Sequence, residues 1–274
     1  LFLPIFEATS GLDGYVSIEV NPQLAYDQKG TVEEAIRLFN QLKRPNIMVK
    51  VPATDAGIPA ITELIGLGIN VNVTLIFGIP QYIRVANAFI EGLERFHAVK
   101  GDVRSVASVA SFFVSRVDAL VDKKLAEIGN TELLGKIAVA NSKVAYDEAR
   151  KIYATQRWKK LEKEGARMQR LLWASTGTKN PDYSDTLYVD ELIGPQTVNT
   201  MPPATLDAFL DHGTIQRTLD KDVNVARHQL EQLEQLGIDI GKITAQLEID
   251  GVKQFEDSFT DLLRAMQEKV VLVK

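Results

Sequence analysis

The chain has 274 residues, 45% of them hydrophobic, enough to bury a sizeable core in one large α/β domain or two smaller ones. Its 31 basic and 36 acidic residues give a formal net charge of -5, which excludes a general nucleic-acid or acidic-membrane binder but leaves room for a local basic pocket. The absence of cysteine excludes disulfides, thiolate metal sites and cysteine nucleophiles, and is compatible with the cytoplasm.

Taken in order, the apolar residues 1–9 read as the last turns of a helix already under way, without the basic flank and length of a signal peptide. No run is long and apolar enough to span a bilayer as a helix, so the expectation is a soluble, cytoplasmic chain. Residues 15–20 alternate Tyr15, Ser17 and Glu19 against Val16, Ile18 and Val20, as a strand does, and Asn21-Pro22 ends it. Thr31-Val32-Glu33-Glu34 has the form of a capping box, with a helical stripe from Ala35 to Leu42 behind it. Next comes Asn46-Ile47-Met48-Val49-Lys50-Val51-Pro52-Ala53-Thr54, a strand-like run with a lysine in its middle. Alternation puts Met48 and Lys50 on one face and Ile47, Val49 and Val51 on the other. An ammonium projecting inward there would be desolvated, which lowers a lysine pKa and frees an amine able to attack a carbonyl.

The pattern repeats downstream. A helix over 57–67 leads to a strand over 70–77, where Asn70, Asn72 and Thr74 oppose Val71, Val73, Leu75 and Phe77. A helix over 80–96 precedes a near-continuous buried strand over 106–113 that contains Ser111, with Arg116 just beyond. Helices are expected over 117–128 and 136–153, and the charged run 159–164 reads as a solvated helix face. A strand over 171–176 carries Ser175 into a loop with one cation, Lys179, and a shorter strand over 197–201 is closed by Pro202-Pro203. Amphipathic helices over 205–210, 223–236 and 243–266 follow, with Gly213, Gly237 and Gly251 as punctuation.

Alternating strands and helices argue for a parallel sheet, and polar residues confined to one face of successive strands argue for a barrel with a central site. Six strands are visible where a (β/α)8 barrel has eight, so either two leading units are absent from this sequence or the molecule closes differently, and the apolar start at residue 1 favours absence. Glu19, Lys50, Asn72, Thr74 and Ser111 fall on inward positions of four strands, with Arg116, Ser175 and Lys179 at strand ends or in the loops that follow. An imine-forming lysine needs a proton shuttle, which a carboxylate and a hydroxyl supply through water, and two cations suit a phosphate. On spacing alone a purely structural Lys50–Glu19 ion pair stands about level with catalysis. His97, His212 and His228 lack metal-ligand spacing, so no metal site is expected, and the glycines form no phosphate-cradling fingerprint.

Six segments then carry a family resemblance: Gly14-Tyr15-Val16-Ser17-Ile18-Glu19-Val20, Ile47-Met48-Val49-Lys50-Val51-Pro52-Ala53-Thr54, Asn70-Val71-Asn72-Val73-Thr74-Leu75-Ile76-Phe77, Ala110-Ser111-Phe112-Phe113-Val114-Ser115-Arg116-Val117-Asp118, Trp173-Ala174-Ser175-Thr176-Gly177-Thr178-Lys179-Asn180-Pro181 and Thr197-Val198-Asn199-Thr200-Met201-Pro202-Pro203. Over about residues 11–266 the chain resembles the bacterial transaldolases, most closely the forms also found fused to glucose-6-phosphate isomerase. The resemblance implies a class I, cofactor-free transfer of a dihydroxyacetone unit from sedoheptulose 7-phosphate to glyceraldehyde 3-phosphate in the non-oxidative pentose phosphate pathway. It gives Lys50 the imine, Glu19 and Thr74 the proton-relaying water, and Asn72 a hydrogen bond to the bound dihydroxyacetone. Ser111, Arg116, Ser175 and Lys179 would hold substrate hydroxyls and phosphate. Many relatives carry arginine for the second phosphate contact, and lysine at position 179 gives up the bidentate geometry. The family's first barrel strand supplies an aspartate as general acid and base and its second an asparagine, and neither strand is in this sequence. The expectation is therefore a single α/β domain over residues 1–274, a TIM-type (β/α)8 barrel with about six of its eight strands present. Its partners would be sugar phosphates, with no cofactor, nucleic acid or membrane. A Schiff-base aldolase of the fructose-6-phosphate type and a truncated fragment without activity are the alternatives.

Overall fold

The computed structural model describes the backbone of residues 1–272 and the side chains as far as residue 269. Its centre is a parallel sheet of six strands that pair strictly in chain order: β1 (Val16–Glu19), β2 (Ile47–Pro52), β3 (Val71–Ile76), β4 (Ser108–Phe113), β5 (Arg170–Ala174) and β6 (Thr197–Asn199). A short helix α1 (Leu3–Ala8) precedes the sheet. Between strands lie α2 (Gln28–Leu42), α3 (Gly57–Gly66), α4 (Ile79–Ala98), then α5 (Ser115–Glu127), α6 (Ile137–Tyr153) and α7 (Gln156–Lys163), and the single turn α8 (Leu187–Asp190). The chain ends in α9 (Pro203–His212), α10 (Val223–Gln235) and the 33-residue α11 (Ile240–Leu272). Sequential parallel pairing with a helix in most crossovers is the arrangement of a TIM-type barrel, but β1 and β6 do not pair, so among the described residues the sheet is open. No described helix is long and apolar enough to cross a membrane.

The two faces of the sheet differ as the alternation predicts. Val49, Val51, Val71, Val73, Phe112, Leu171 and Trp173 point outward into the large core beneath the helices. Met48, Ala107 and Val109, packed with Tyr15 and Leu172, form a small separate apolar cluster on the other face. Lys50 and Ser111 each stand two residues beyond a member of that cluster, on the same face and toward the C-terminal ends of their strands. The small cluster is thus a dry floor, and the polar residues stand above it.

Several boundaries move for identifiable reasons. The expected capping box at Thr31 is not the start of α2: Asp27 caps the helix by accepting the Gly30 amide at 3.0 Å, and the Thr31 hydroxyl instead donates to the Leu24 carbonyl. Gly251 does not end a helix but lies inside α11, where an added Cβ would stand 2.8 Å from Leu75 Cδ2, so its role is close packing. The turn α8 carried no periodic signal, since four residues are too short for one.

Asn70 sits just before β3, where strand ends converge. Its amide donates to the Pro45 carbonyl at 2.9 Å and the Ile47 carbonyl at 3.1 Å, and its Oδ1 accepts the Ala107 amide at 2.8 Å. One buried side chain therefore joins the entries of three strands. Asn70→Ala is expected to leave these groups unpaired and cost about 2–4 kcal/mol in chemical denaturation. A loss below about 0.5 kcal/mol would mean that water replaces the amide fully.

Candidate active site

Parallel register puts Glu19, Lys50 and Asn72 side by side, because Glu19 pairs with Lys50 across β1–β2 and Lys50 pairs with Asn72 across β2–β3. Three neighbouring strands thus contribute a carboxylate, an amine and an amide to one row. Lys50 Nζ lies 2.8 Å from Glu19 Oε1, and both side chains keep partial solvent access, 25% and 41%. The expected isolated, desolvated ammonium is in fact an ion-paired one at the edge of water. Asn72 is held from both sides: its amide donates to Ser17 Oγ at 2.9 Å, and its Oδ1 accepts the Ser111 hydroxyl at 2.7 Å. These bonds fix which end of the Asn72 amide faces which neighbour. Ser17 was visible in the alternation of β1 but had no partner in the sequence that would single it out.

Thr74 stands two residues beyond Asn72, opposite Pro52 in the register. Its Oγ1 is buried and has no hydrogen-bond partner among the described residues. An orphaned buried hydroxyl is costly unless a solvent or substrate atom reaches it. Thr74 lines a cavity of about 10 Å³ with Glu19, Lys50 and Phe255, at the lower limit of the space one water molecule fills, and the surface facing it is apolar. The backbone is strained here as well, for the β3–β4 register shifts between Val73 and Ile76 and Leu75 adopts φ +57°. A left-handed leucine costs of order 1 kcal/mol and persists only where its surroundings hold it.

The remaining predicted residues lie at the C-terminal ends of β4 and β5. Arg116 is in the first turn of α5, half-buried, with its guanidinium 5.2 Å from the centre of the Phe113 ring. Burial pulls its pKa down, and no carboxylate among the described residues pairs with it. A guanidinium without a counter-ion in a helix's first turn is suited to an anion. Ser175 follows β5 in a left-handed conformation, φ +57°, and its Oγ lies 3.0 Å from Ser115 Oγ. The Ser115 amide donates to the Ser175 carbonyl at 3.0 Å, which seats the start of α5 on the end of β5. Lys179 is exposed in the following loop and touches none of these groups, so the structure does not bring it into the cluster. No group of three or more His, Asp or Glu side chains among the described residues is placed to hold a metal ion.

Asp118 braces this end of the molecule. Its Oδ2 accepts the Tyr188 hydroxyl of α8 at 2.9 Å and its Oδ1 the Ala138 amide of α6 at 2.7 Å. One turn on, Asp122 accepts the Tyr183 hydroxyl at 2.8 Å. Two tyrosine–aspartate bonds therefore tie the loop that bears Lys179 to the helix that bears Arg116. Burial pushes the Asp118 carboxyl up to about 7, with the negative charge of Asp122 adding to the rise and the hydrogen bonds opposing it. A raised folded-state pKa means that stability is fully present below the unfolded value, about 4, and is lost as pH rises through about 7. Glu248, also raised to about 7 by burial, adds to the same decline. Asp118→Asn should flatten part of that profile in urea titrations between about pH 4 and pH 8, whereas an unchanged slope would show that Asp118 does not titrate there.

The family described as "Transaldolase/Fructose-6-phosphate aldolase" matches residues 2–266. A transaldolase of Trichodesmium erythraeum is 47% identical over 98% of this chain and 74% of its own length. Transaldolase 1 of Streptomyces avermitilis is 51% identical over 96% of this chain and 71% of its own. A transaldolase of Mycolicibacterium smegmatis is 48% identical over 96% and 72%. With the family matching nearly end to end and relatives near half identity, the chain belongs to the transaldolase/fructose-6-phosphate aldolase family.

Proposed function

We propose that this protein is a cytoplasmic Schiff-base transaldolase, moving a dihydroxyacetone unit from sedoheptulose 7-phosphate to glyceraldehyde 3-phosphate and giving erythrose 4-phosphate and fructose 6-phosphate. The observation that carries the reading is the Glu19–Lys50–Asn72 row with the unpartnered Thr74 hydroxyl beside it. Lys50 Nζ attacks C2 of the ketose, and loss of water from the carbinolamine leaves the imine. Glu19, 2.8 Å away, takes the ammonium proton and returns it to the departing hydroxyl. The unpartnered Thr74 hydroxyl, in the wall of the same small cavity, extends that relay through a water that enters with the donor. Loss of the C4 hydroxyl proton breaks the C3–C4 bond and releases the first aldehyde, leaving an enamine on Lys50. Its C3 adds to the aldehyde carbon of the acceptor, whose oxygen takes a proton, and water adding to C2 then frees the product ketose and the Lys50 amine. Asn72 and Ser111, already bonded to each other, present polar atoms to the donor's hydroxyls, and Ser175 does so from the end of β5. Arg116 takes the phosphate, with Lys179 as a second, solvated charge that a loop movement would bring closer.

We further propose that two more βα units close the barrel between β6 and β1 and that the second proton-transfer carboxylate stands on one of them. The unpaired edges of the sheet support this, since exposed strand edges seek partners, as do relatives of which this chain spans 71–74%.

Borohydride reduction in the presence of fructose 6-phosphate should add one reduced dihydroxyacetone unit to Lys50, located by peptide mass, and Lys50→Met should abolish the adduct. An adduct on another lysine, or none, would overturn the imine assignment. Arg116→Ala should weaken phosphorylated substrates by about 1.5–3 kcal/mol, roughly tenfold to a hundredfold in KM, and leave unphosphorylated dihydroxyacetone unaffected. Equal losses for both would remove Arg116 from the phosphate site.

A further inference from the structure

The long C-terminal helix contributes a side chain to the imine pocket that none of the assigned roles includes. Leu247, Glu248, Gly251, Val252 and Phe255 share one face of α11, by helical spacing, and that face lies over the C-terminal ends of β2 and β3. Leu247 and Val252 are buried, and Gly251 lets the helix backbone approach the strained Leu75 more closely than any side chain would permit. Gln81 of α4 fastens the helix down. Its amide donates to Glu248 Oε2 at 2.6 Å, to the Ala53 carbonyl at 3.0 Å and to the Leu75 carbonyl at 3.2 Å, and its Oε1 accepts the Phe77 amide at 3.0 Å. One side chain therefore links the ends of β2 and β3 to α11. One turn beyond Gly251, the Phe255 ring stands with its centre 5.1 Å from Lys50 Nζ, and Phe255 and Val252 line the same small cavity as Glu19, Lys50 and Thr74.

We propose that Phe255 is the roof of the imine pocket, a positioning residue that keeps bulk water from the Lys50 intermediate while the acceptor aldehyde binds. The proposal rests on the imine reading above. A ring face at this distance attracts a cationic nitrogen, in the free ammonium and in the protonated imine alike, and its hydrocarbon edge offers water nothing to bond. Two fates compete for the enamine. In transfer, its C3 forms a bond to the acceptor's carbonyl carbon and the carbonyl oxygen takes a proton. In release, C3 takes a proton delivered by water instead. Either imine is then hydrolysed in the same way: a water oxygen adds to C2, the C2–N bond breaks, and the ketose or dihydroxyacetone departs as Lys50 recovers its amine. The fates divide at C3, so a roof that keeps water from C3 while the enamine stands slows only the protonation that commits it to release.

The test is the ratio of the two fates in the full-length protein. Phe255→Leu keeps an apolar side chain without the ring, and Phe255→Ala opens the roof. Fructose 6-phosphate is supplied with and without erythrose 4-phosphate, and sedoheptulose 7-phosphate and free dihydroxyacetone are both quantified. The expected result is a release-to-transfer ratio raised about fivefold in Phe255→Leu and further in Phe255→Ala, with the Lys50 adduct still trapped by borohydride. Should the alanine variant not fold, the leucine variant decides alone. Parallel loss of both fates at an unchanged ratio would show that the ring only braces the helix and would overturn the roof. No adduct on the unsubstituted protein would overturn the imine reading, and the roof with it.

Discussion

Everything at this site depends on placing an ammonium on the inner face of a parallel strand. A charge there cannot simply be left among apolar residues, since an unpaired buried ion costs several kcal/mol. The sheet resolves this by register: the strand before β2 offers Glu19 at the position directly across from Lys50, and the strand after it offers Asn72. The pair is not sealed. With 25% and 41% of the two side chains open to solvent, water screens part of the interaction, so the pair is only a modest source of stability. Its value lies in geometry. A lysine held 2.8 Å from a carboxylate has a proton acceptor in place before any substrate arrives.

The same geometry explains why the strain lies where it does. Leu75, which directly follows Thr74 in β3, and Ser175, which directly follows β5, are both left-handed and stand at the C-terminal ends of their strands. In a parallel sheet that end is where loops gather and where substrates meet side chains from several strands at once. An irregularity between Val73 and Ile76 shifts the register of β3 against β4 at the point where Thr74 stands. At Ser175 the left-handed turn brings its hydroxyl to Ser115 and its carbonyl to the Ser115 amide, so the end of β5 locates the start of α5 and hence Arg116. Strain at these points is sustained by the packing of α11 on Leu75 and by the tyrosine–aspartate bonds around Asp118.

The parts of this arrangement that follow a period of two were legible in the sequence. Lys50, Asn72 and Thr74 sit in runs whose other residues are apolar, and the separation of Met48 from Val49 and Val51 into different clusters is the alternation made physical. Contacts that depend on where distant segments meet were not legible. Nothing around Phe255 distinguishes it from any other apolar residue of an amphipathic helix, and Gly251 looked like a helix stop because a glycine's packing partner is invisible without coordinates. Asp118 falls within one of the segments that carry the family resemblance, but its burial and its bond to Tyr188 depend on a loop whose single helical turn is too short to leave a periodic trace. Lys179 stands between these cases: its place after β5 suggests a binding role, and its side chain is exposed on the loop rather than gathered with the others.

These differences between strand and helix also divide the work of the site. Lys50 and Asn72 lie on strands held by ladder hydrogen bonds on both sides, and Glu19 lies on β1, which is held by β2 alone, so the row is fixed by the sheet. The cover over that row is attached differently. It rests on apolar contacts along one face of α11 and on the hydrogen bonds of Gln81. A chemistry that must exclude water after the donor binds, yet admit a donor and then an acceptor, is served by such a division. The strands position the reacting groups, and side-chain contacts hold the cover over them.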